Sequence, residues 1–229
     1  MNIKSSKMTF MLYLTAVFSM LFMLVSNSAV AGTLTGSAHD LRTYTGTSQR
    51  MCVVCHTPHN STSTGGVAPL WNHAVTELTY TLYGEGGTAP TLNATVSQPT
   101  GISKLCLSCH DGSVAIDSFG GTTGTQFFLP TDSENIGGDA GSLANDHPIS
   151  FTYDAALVTA DGALNPVTTP VTIGDPLGDN RDTTIAGMLY NGSMECATCH
   201  DVHNKFAIGN QLLKVSTAGS ALCLTCHDK

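Results

Sequence analysis

Four copies of the pattern C-x-x-C-H constrain this 229-residue chain more than any other feature. Together the copies contain all eight cysteines, and in each a histidine directly follows the second cysteine. Eight cysteines in an exported chain could form four disulfides, and paired C-x-x-C motifs could hold zinc. Neither arrangement requires a histidine after every pair, whereas covalent attachment of c-type haem does. The copies are Cys52–His56, Cys106–His110, Cys196–His200 and Cys223–His227.

The motifs predict four covalently attached c-type haems. In each motif the cysteines would form thioethers with the haem, and the histidine would bind the iron from one side. The predicted thioether residues are Cys52, Cys55, Cys106, Cys109, Cys196, Cys199, Cys223 and Cys226. The predicted proximal iron ligands are His56, His110, His200 and His227.

Five other histidines are candidates for the distal position on the irons. Four haems need four distal ligands, so one candidate would be spare; which one, and which histidine serves which iron, stays open at this point. Methionine is the usual competitor, but beyond residue 31 only Met51, Met188 and Met194 occur. We therefore expect bis-histidine ligation throughout. The candidates are His39, His59, His73, His147 and His203.

The spacing of His56 and His59 restricts which iron His59 can bind. The two residues are three apart, so their side chains start from nearly the same place. The axial positions of one iron lie on opposite faces of a wide ring, which so short a tether cannot round. We expect His59 to bind a different iron, and His203 to do the same in the second copy of the pattern.

The motifs divide the chain into two halves that resemble a duplication. Each half opens with C-x-x-C-H-x-x-H-N and closes with C-L-x-C-H-D. We predict one tetrahaem domain over 32–229, made of a dihaem half (32–111), an insert of loops and short strands (112–191) and a second dihaem half (192–229). Long apolar periodic segments are scarce, so the fold should be mostly irregular, with short α-helices, little β-structure and haems as the core. Within it we expect short strands at 149–153 and 167–173 and a helix at 185–199.

Residues 1–31 have the pattern of a secretory signal peptide. Lys4 and Lys7 precede an apolar run from Met8 to Val25, and Ala29-Val30-Ala31 follows. An uncleaved membrane anchor is the alternative, since the apolar run is nearly long enough to span a bilayer. After cleavage we expect no stable membrane insertion. The remaining seven basic and seventeen acidic residues disfavour nucleic acid as a partner.

Several motifs make the chain resemble the doubled-CXXCH multihaem cytochromes of metal-respiring bacteria, and within them the OmcE-type tetrahaem cytochromes. The resemblance implies bis-histidine haems stacked into a continuous chain and subunits polymerised into extracellular conductive filaments. In such filaments a terminal histidine can bind a neighbouring subunit's haem, and His39 is the residue we expect in that role. The resemblance is carried by Ser37–Asp40, Cys52–Asn60, Pro69–His73, Cys106–Gly112, His147–Phe151 and Cys196–Asn204.

Electron transfer is the function that these expectations favour. Its partners would be redox proteins or extracellular electron acceptors, with end-to-end contacts between copies, at the cell surface or beyond it. A soluble periplasmic shuttle is the alternative. A multihaem reductase of a small oxyanion such as nitrite would need an open iron, which the five histidines outside the motifs disfavour. We therefore expect no enzyme.

Overall fold

The computed structural model describes residues 34–47, 50–61, 70–85, 92–137, 141–173, 184–205 and 211–228. All of them belong to one compact unit that spans 32–229. The predicted signal peptide lies outside the described residues. In the described part, none of the helices has the length and apolar character needed to cross a bilayer.

Short helices and irregular segments form most of this unit, which confirms the predicted fold class. Two 3₁₀ turns, at Cys52–Val54 and Ala218–Ser220, accompany the α-helices. Strands β1 (Phe151–Thr152) and β2 (Ser193–Met194) pair antiparallel, with Phe151 opposite Met194. The α-helices are α1 (Arg42–Thr45), α2 (Gly101–His110), α3 (Ala155–Asp161), α4 (Ile185–Met188), α5 (Cys196–Cys199) and α6 (Ala221–Cys226).

Helix α2 contains a complete C-x-x-C-H motif and is the most buried helix. Thr100 has an extended backbone, so the helix begins at Gly101. Leu105 and Leu107 are buried among the neighbouring segments. After His110 the chain turns away through Gly112, whose φ of 71° lies in the left-handed region that favours glycine. The motif therefore lies at the C-terminal end of a helix whose side chains are well packed.

The predicted helix over 185–199 is wrong, because a tight turn interrupts it. Asn191 and Gly192 both have left-handed backbones, with φ of 52° and 77°, and Tyr190 and Ser193 exchange two backbone hydrogen bonds across them. Asn-Gly is a strong signal for a turn of this kind. The segment therefore forms α4, a turn, β2 and α5. Thr184 caps α4, because its side chain accepts a hydrogen bond from the amide of Gly187.

The predicted strand at 149–153 is confirmed in part, since β1 covers two of its residues. The predicted strand over 167–173 does not form, and only an isolated bridge joins Pro170 to Thr184. The later part of the expected insert packs on the second half of the chain. There Tyr153 donates a hydrogen bond of 2.7 Å to the Asn165 carbonyl, and Asn165 in turn bonds the Cys226 carbonyl.

The buried apolar side chains form two separate small clusters. One contains Tyr80, Leu82, Leu107 and Leu143 and lies under α2. The other joins β1, α3, α4 and β2, and it consists of Phe151, Tyr153, Leu157, Ile185 and Met194. Each cluster is small for the length of chain around it. This agrees with the scarcity of apolar periodic segments, while the haem core stays a prediction.

Candidate haem-binding site

The first C-x-x-C-H-x-x-H-N segment is held by a second strand of backbone that runs beside it. The amide of Thr57 donates to the Leu70 carbonyl at 2.8 Å, and the amide of Asn72 donates to the Cys55 carbonyl at 3.0 Å. These two bonds flank an antiparallel bridge between His56 and Trp71. These backbone contacts fix the main chain at His56, the expected proximal ligand.

The second copy of this segment is held in the same way. The amide of Asp201 donates to the Leu212 carbonyl at 2.7 Å, and the amide of Lys214 donates to the Cys199 carbonyl at 2.8 Å. An antiparallel bridge joins His200 to Leu213 between them. The hydrogen-bond pattern matches the first copy residue by residue.

Left-handed backbones recur at the same two places in both copies. The asparagine that ends each motif has a φ of 56° at Asn60 and 52° at Asn204. We call the segment that pairs with each motif its brace, Leu70–His73 in the first copy and Leu212–Val215 in the second. The leucine that begins each brace has a φ of 58° at Leu70 and 55° at Leu212. Leucine rarely adopts this conformation, because its Cβ then crowds the following carbonyl oxygen. Its repetition shows that the two segments share one backbone design.

This correspondence aligns side chains as well as backbone. When the two braces are aligned at Leu70 and Leu212, Trp71 is equivalent to Leu213 and His73 is equivalent to Val215. His59 and His203 also occupy equivalent positions in the two motifs.

The structure brings six of the nine histidines together in three pairs. Each pair joins one C-x-x-C-H histidine to one histidine from outside the motifs. The ring centres are 6.1 Å apart for His39 and His110, 6.2 Å for His56 and His203, and 6.5 Å for His147 and His227.

These separations fit two imidazoles on opposite sides of one haem iron. Bonds from an imidazole nitrogen to a metal are about 2 Å long. Ring bonds of about 1.3 Å place the ring centre roughly 1 Å beyond that nitrogen. The centres of two axial imidazoles are therefore about 6 Å apart. The donor sets also fit c-type haem, because a thioether-forming cysteine pair immediately precedes one histidine of each pair.

Hydrogen bonds orient several of these imidazoles with one nitrogen available. The Nδ1 atom of His110 bonds the Glu134 carbonyl at 2.7 Å, and that of His200 bonds the Gln211 carbonyl at 2.7 Å. The Nδ1 atom of His147 bonds its neighbouring carbonyl, that of Pro148, at 2.9 Å. A proton held on Nδ1 in this way leaves the lone pair of Nε2 for a metal.

His39 is the most deeply enclosed of the paired histidines outside the motifs. Burial is the main cause that lowers its pKa to about 4, and the charge of His110 adds to the shift. The ring also forms a hydrogen bond to the backbone of Val202. A neutral imidazole is the form that binds a metal. The structure thus gives His39 a partner within its own chain, beside the expected role toward a neighbouring subunit.

His73 differs from the other candidates in that both ring nitrogens face backbone oxygens. Nδ1 lies 2.7 Å from the Ala74 carbonyl, and Nε2 lies 3.0 Å from the Ala115 carbonyl. The residue is only 1% exposed, and its ring meets the edge of Trp71. The structure does not bring His73 to another histidine ring within the described part.

The eight cysteines are all free, so no disulfide competes with haem attachment. Burial raises the pKa of Cys55 and of Cys226 to about 11 each, which keeps these thiols protonated at neutral pH. Among the described residues, no group of three or more histidine, cysteine and acidic side chains could hold a metal ion.

A buried polar contact links the second motif to the third. Glu195 accepts hydrogen bonds from Ser103 on α2 and from Ser150. Ser103 in turn accepts from the amide of Cys196 at 3.0 Å. The thiol of Cys106 also hydrogen-bonds to the Cys196 sulfur, which raises the pKa of Cys106. Sequence reasoning missed Glu195, although a charged residue directly before a haem motif is a visible signal.

Two further residues support the second motif. Asp111, which follows His110, accepts a hydrogen bond of 2.6 Å from the buried Tyr80 hydroxyl. Phe128 stacks on the His110 ring with centres 5.5 Å apart. The buried indole nitrogen of Trp71 has no hydrogen-bond partner among the described residues.

Comparison with known proteins identifies the C-terminal part of the chain. Residues 190–229 match the family described as "Doubled CXXCH motif". A search of curated proteins found no match. The matched region contains the third and fourth motifs, so the chain carries the haem-binding motif of multihaem c-type cytochromes. Attachment of c-type haem implies export from the cytoplasm, and this is the conclusion that the motif match and the histidine geometry support together.

Proposed function

We propose that the protein is an exported tetrahaem c-type cytochrome that transfers electrons between bis-histidine haems. The cysteines of the four motifs hold the haems, and their histidines bind the irons on the proximal side. Three of the distal ligands are His39, paired with His110, His203, paired with His56, and His147, paired with His227. When bound, each haem iron exchanges one electron by alternating between its ferric and ferrous states.

The single observation that carries this proposal is the set of three histidine pairs. Two imidazoles whose ring centres are 6.1 to 6.5 Å apart are too distant to hydrogen-bond to each other, whereas an iron between them explains both the spacing and the composition. Each pair contains one motif histidine and one other. Occupied axial positions leave no place for a substrate, which favours electron transfer over an enzyme.

The protein's own residues contribute rigidity to this chemistry. Backbone braces at Leu70 and Leu212 hold the motif histidines, and carbonyl oxygens fix the imidazoles of His110 and His200. Ligands held in this way move little when the charge of the iron changes. Small movement lowers the reorganisation that accompanies each electron transfer.

The filament form is the finer part of the proposal. Its support is the resemblance of the chain to filament-forming tetrahaem cytochromes, together with the signal-like residues 1–31. Subunits would meet end to end and pass electrons to redox proteins or to extracellular acceptors. The soluble periplasmic shuttle is the alternative.

The test uses the secreted protein with its haems attached. Mass spectrometry should show four haems per chain, and electron paramagnetic resonance should show only low-spin iron. Fewer than four haems, or a high-spin signal together with nitrite-dependent turnover, would contradict the proposal and favour the reductase. Negative-stain images decide the finer part, since filaments support it and single particles favour the shuttle.

A further inference from the structure

We propose that His59 binds the iron of the haem attached at Cys196 and Cys199, and that His73 binds no iron. His59 and His203 would then each bind the iron of a haem that is attached to the other half of the chain. This inference rests on the proposed function and completes its fourth ligand pair.

Elimination leaves two candidates for the iron bound by His200. The other three motif histidines already face His39, His203 and His147 across distances that suit an iron. Among the described residues, His200 contacts no further histidine ring. If the iron is bis-histidine and its distal ligand belongs to the same chain, that ligand is His59 or His73.

The internal duplication favours His59. His203 lies three residues after the third proximal histidine and pairs with His56, the first one. His59 lies three residues after His56 in a segment with the same hydrogen bonds and the same left-handed asparagine. In the repeat, His56 is equivalent to His200 and His203 is equivalent to His59. The observed pair of His56 with His203 therefore predicts a pair of His200 with His59.

The same duplication removes His73. Its counterpart in the second brace is Val215, which is buried and 7% exposed. A position that accepts valine in one copy serves packing, because valine cannot bind iron. His73 is buried to the same degree, so the two residues fill equivalent interior places.

The hydrogen bonds of the two candidates agree with this division. Both nitrogens of His73 are directed at backbone carbonyls, and Cys109 lies 3.6 Å from Nε2 and 3.8 Å from Nδ1. A neutral ring can donate to one of these carbonyls and an imidazolium to both. His59 is exposed, and its ring forms no hydrogen bond to a described residue. Binding an iron costs His59 no hydrogen bond to a described residue, whereas a nitrogen of His73 that binds an iron must leave the carbonyl it now faces.

Substitution of each candidate in the haem-loaded protein tests the inference. His59→Ala should retain four haems by mass but convert one of the four low-spin irons to high spin, and added imidazole should restore it. His73→Val, which installs the residue of the second copy, and His73→Gln should both keep four low-spin irons. The electron paramagnetic resonance spectrum measures the fraction.

A second experiment identifies which haem loses its ligand. In a chain that lacks the third haem through Cys196→Ala and Cys199→Ala, His59→Ala should produce no additional high-spin iron. An additional high-spin iron in that chain would overturn the assignment. So would a high-spin iron in both His73 variants, or four low-spin irons in His59→Ala.

The wild-type protein separates this inference from the proposed function. If it lacks four low-spin haems, the proposed function fails. If it has them and the substitutions give the opposite pattern, only the ligand assignment fails.

Discussion

The two halves of the chain share the backbone around their first haem motif but differ around their second. The braced segments at 52–60 and 196–204 have matching hydrogen bonds and matching left-handed residues. In contrast, α2 has ten residues, four of them buried, whereas α6 has six and none buried. The repeated part carries histidines that we propose as iron ligands. The part that differs is the amount of polypeptide that packs under the motif.

The first motifs also differ in their helical turns, for a reason visible in the sequence. The amide of Glu195 donates to the Thr198 hydroxyl at 2.9 Å, at the start of α5. Met51 and Val54 occupy the corresponding positions of the first copy and supply no capping side chain. Polar side chains at a helix start satisfy backbone amides that lack partners. The second copy accordingly forms a turn of α-helix and the first only a 3₁₀ turn.

Removal of the haem proposed at the second motif of each half should have the largest effect. We expect this effect to differ between the two halves. Without buried side chains, α6 depends on its haem for packing, so Cys223→Ala with Cys226→Ala should abolish amide-exchange protection of 221–226. The equivalent pair Cys106→Ala and Cys109→Ala should leave α2 measurably protected, because its other side chains remain buried. Hydrogen exchange followed by mass spectrometry measures both. Equal loss of protection in the two helices would remove the contrast between the halves.

Exchange of the capping residue between the copies should have the next largest effect. Glu195→Met leaves the Ser103 and Ser150 hydroxyls without their buried acceptor, which should lower the free energy of unfolding by about 3 kcal/mol. Denaturant titration of the haem-loaded protein measures the loss. Glu77→Gln, at an exposed position, is the matched control and should cause no measurable change. A small loss for Glu195→Met would show that the contact between α2 and α5 contributes little.

The residue that follows each closing motif offers a smaller test. Tyr80→Phe removes the hydrogen bond to the buried Asp111 carboxyl, which should lower the free energy of unfolding by about 2 kcal/mol. Asp228 occupies the corresponding place in the second half and is exposed, so Asp228→Asn should leave the unfolding curve in place. Matching losses for the two variants would mean that both closing motifs depend on this residue alike.

Glycine substitutions at the two left-handed leucines should change stability in opposite directions, and the change at Leu70 should be the smallest of all. Leu212 is 5% exposed, so Leu212→Gly loses its packing, a loss only partly offset by relief of backbone strain, and should cost about 2 kcal/mol. Leu70 is 52% exposed, and Leu70→Gly should stabilise the fold by at most about 0.5 kcal/mol. Thermal unfolding of the two variants beside wild type measures the difference. A stabilised Leu212→Gly protein would show that strain outweighs packing at this position.

The sequence predicted the local features of the site and missed those that depend on distant contacts. The motif pattern and the three-residue tether between His56 and His59 depend on covalent chemistry and reach, so they are readable without a fold. The pairing of His39 with His110 joins distant segments and has no local signal. Asn191-Gly192 carried a turn signal that the periodic pattern around it obscured. Our proposal that His73 is the spare histidine depends on the alignment of the two repeats, which makes Val215 its equivalent, and this alignment needed the structure.

The contact between His56 and His203 has a consequence for the order of events during maturation. The two residues are roughly 150 positions apart, and closing so long a loop is slow and entropically unfavourable. A chain that emerges amino end first would present its first haem motif long before the second imidazole arrives. Until then an exogenous base or water could occupy that coordination position, so the earliest attached haem would reach its final electronic state only after most of the chain has emerged.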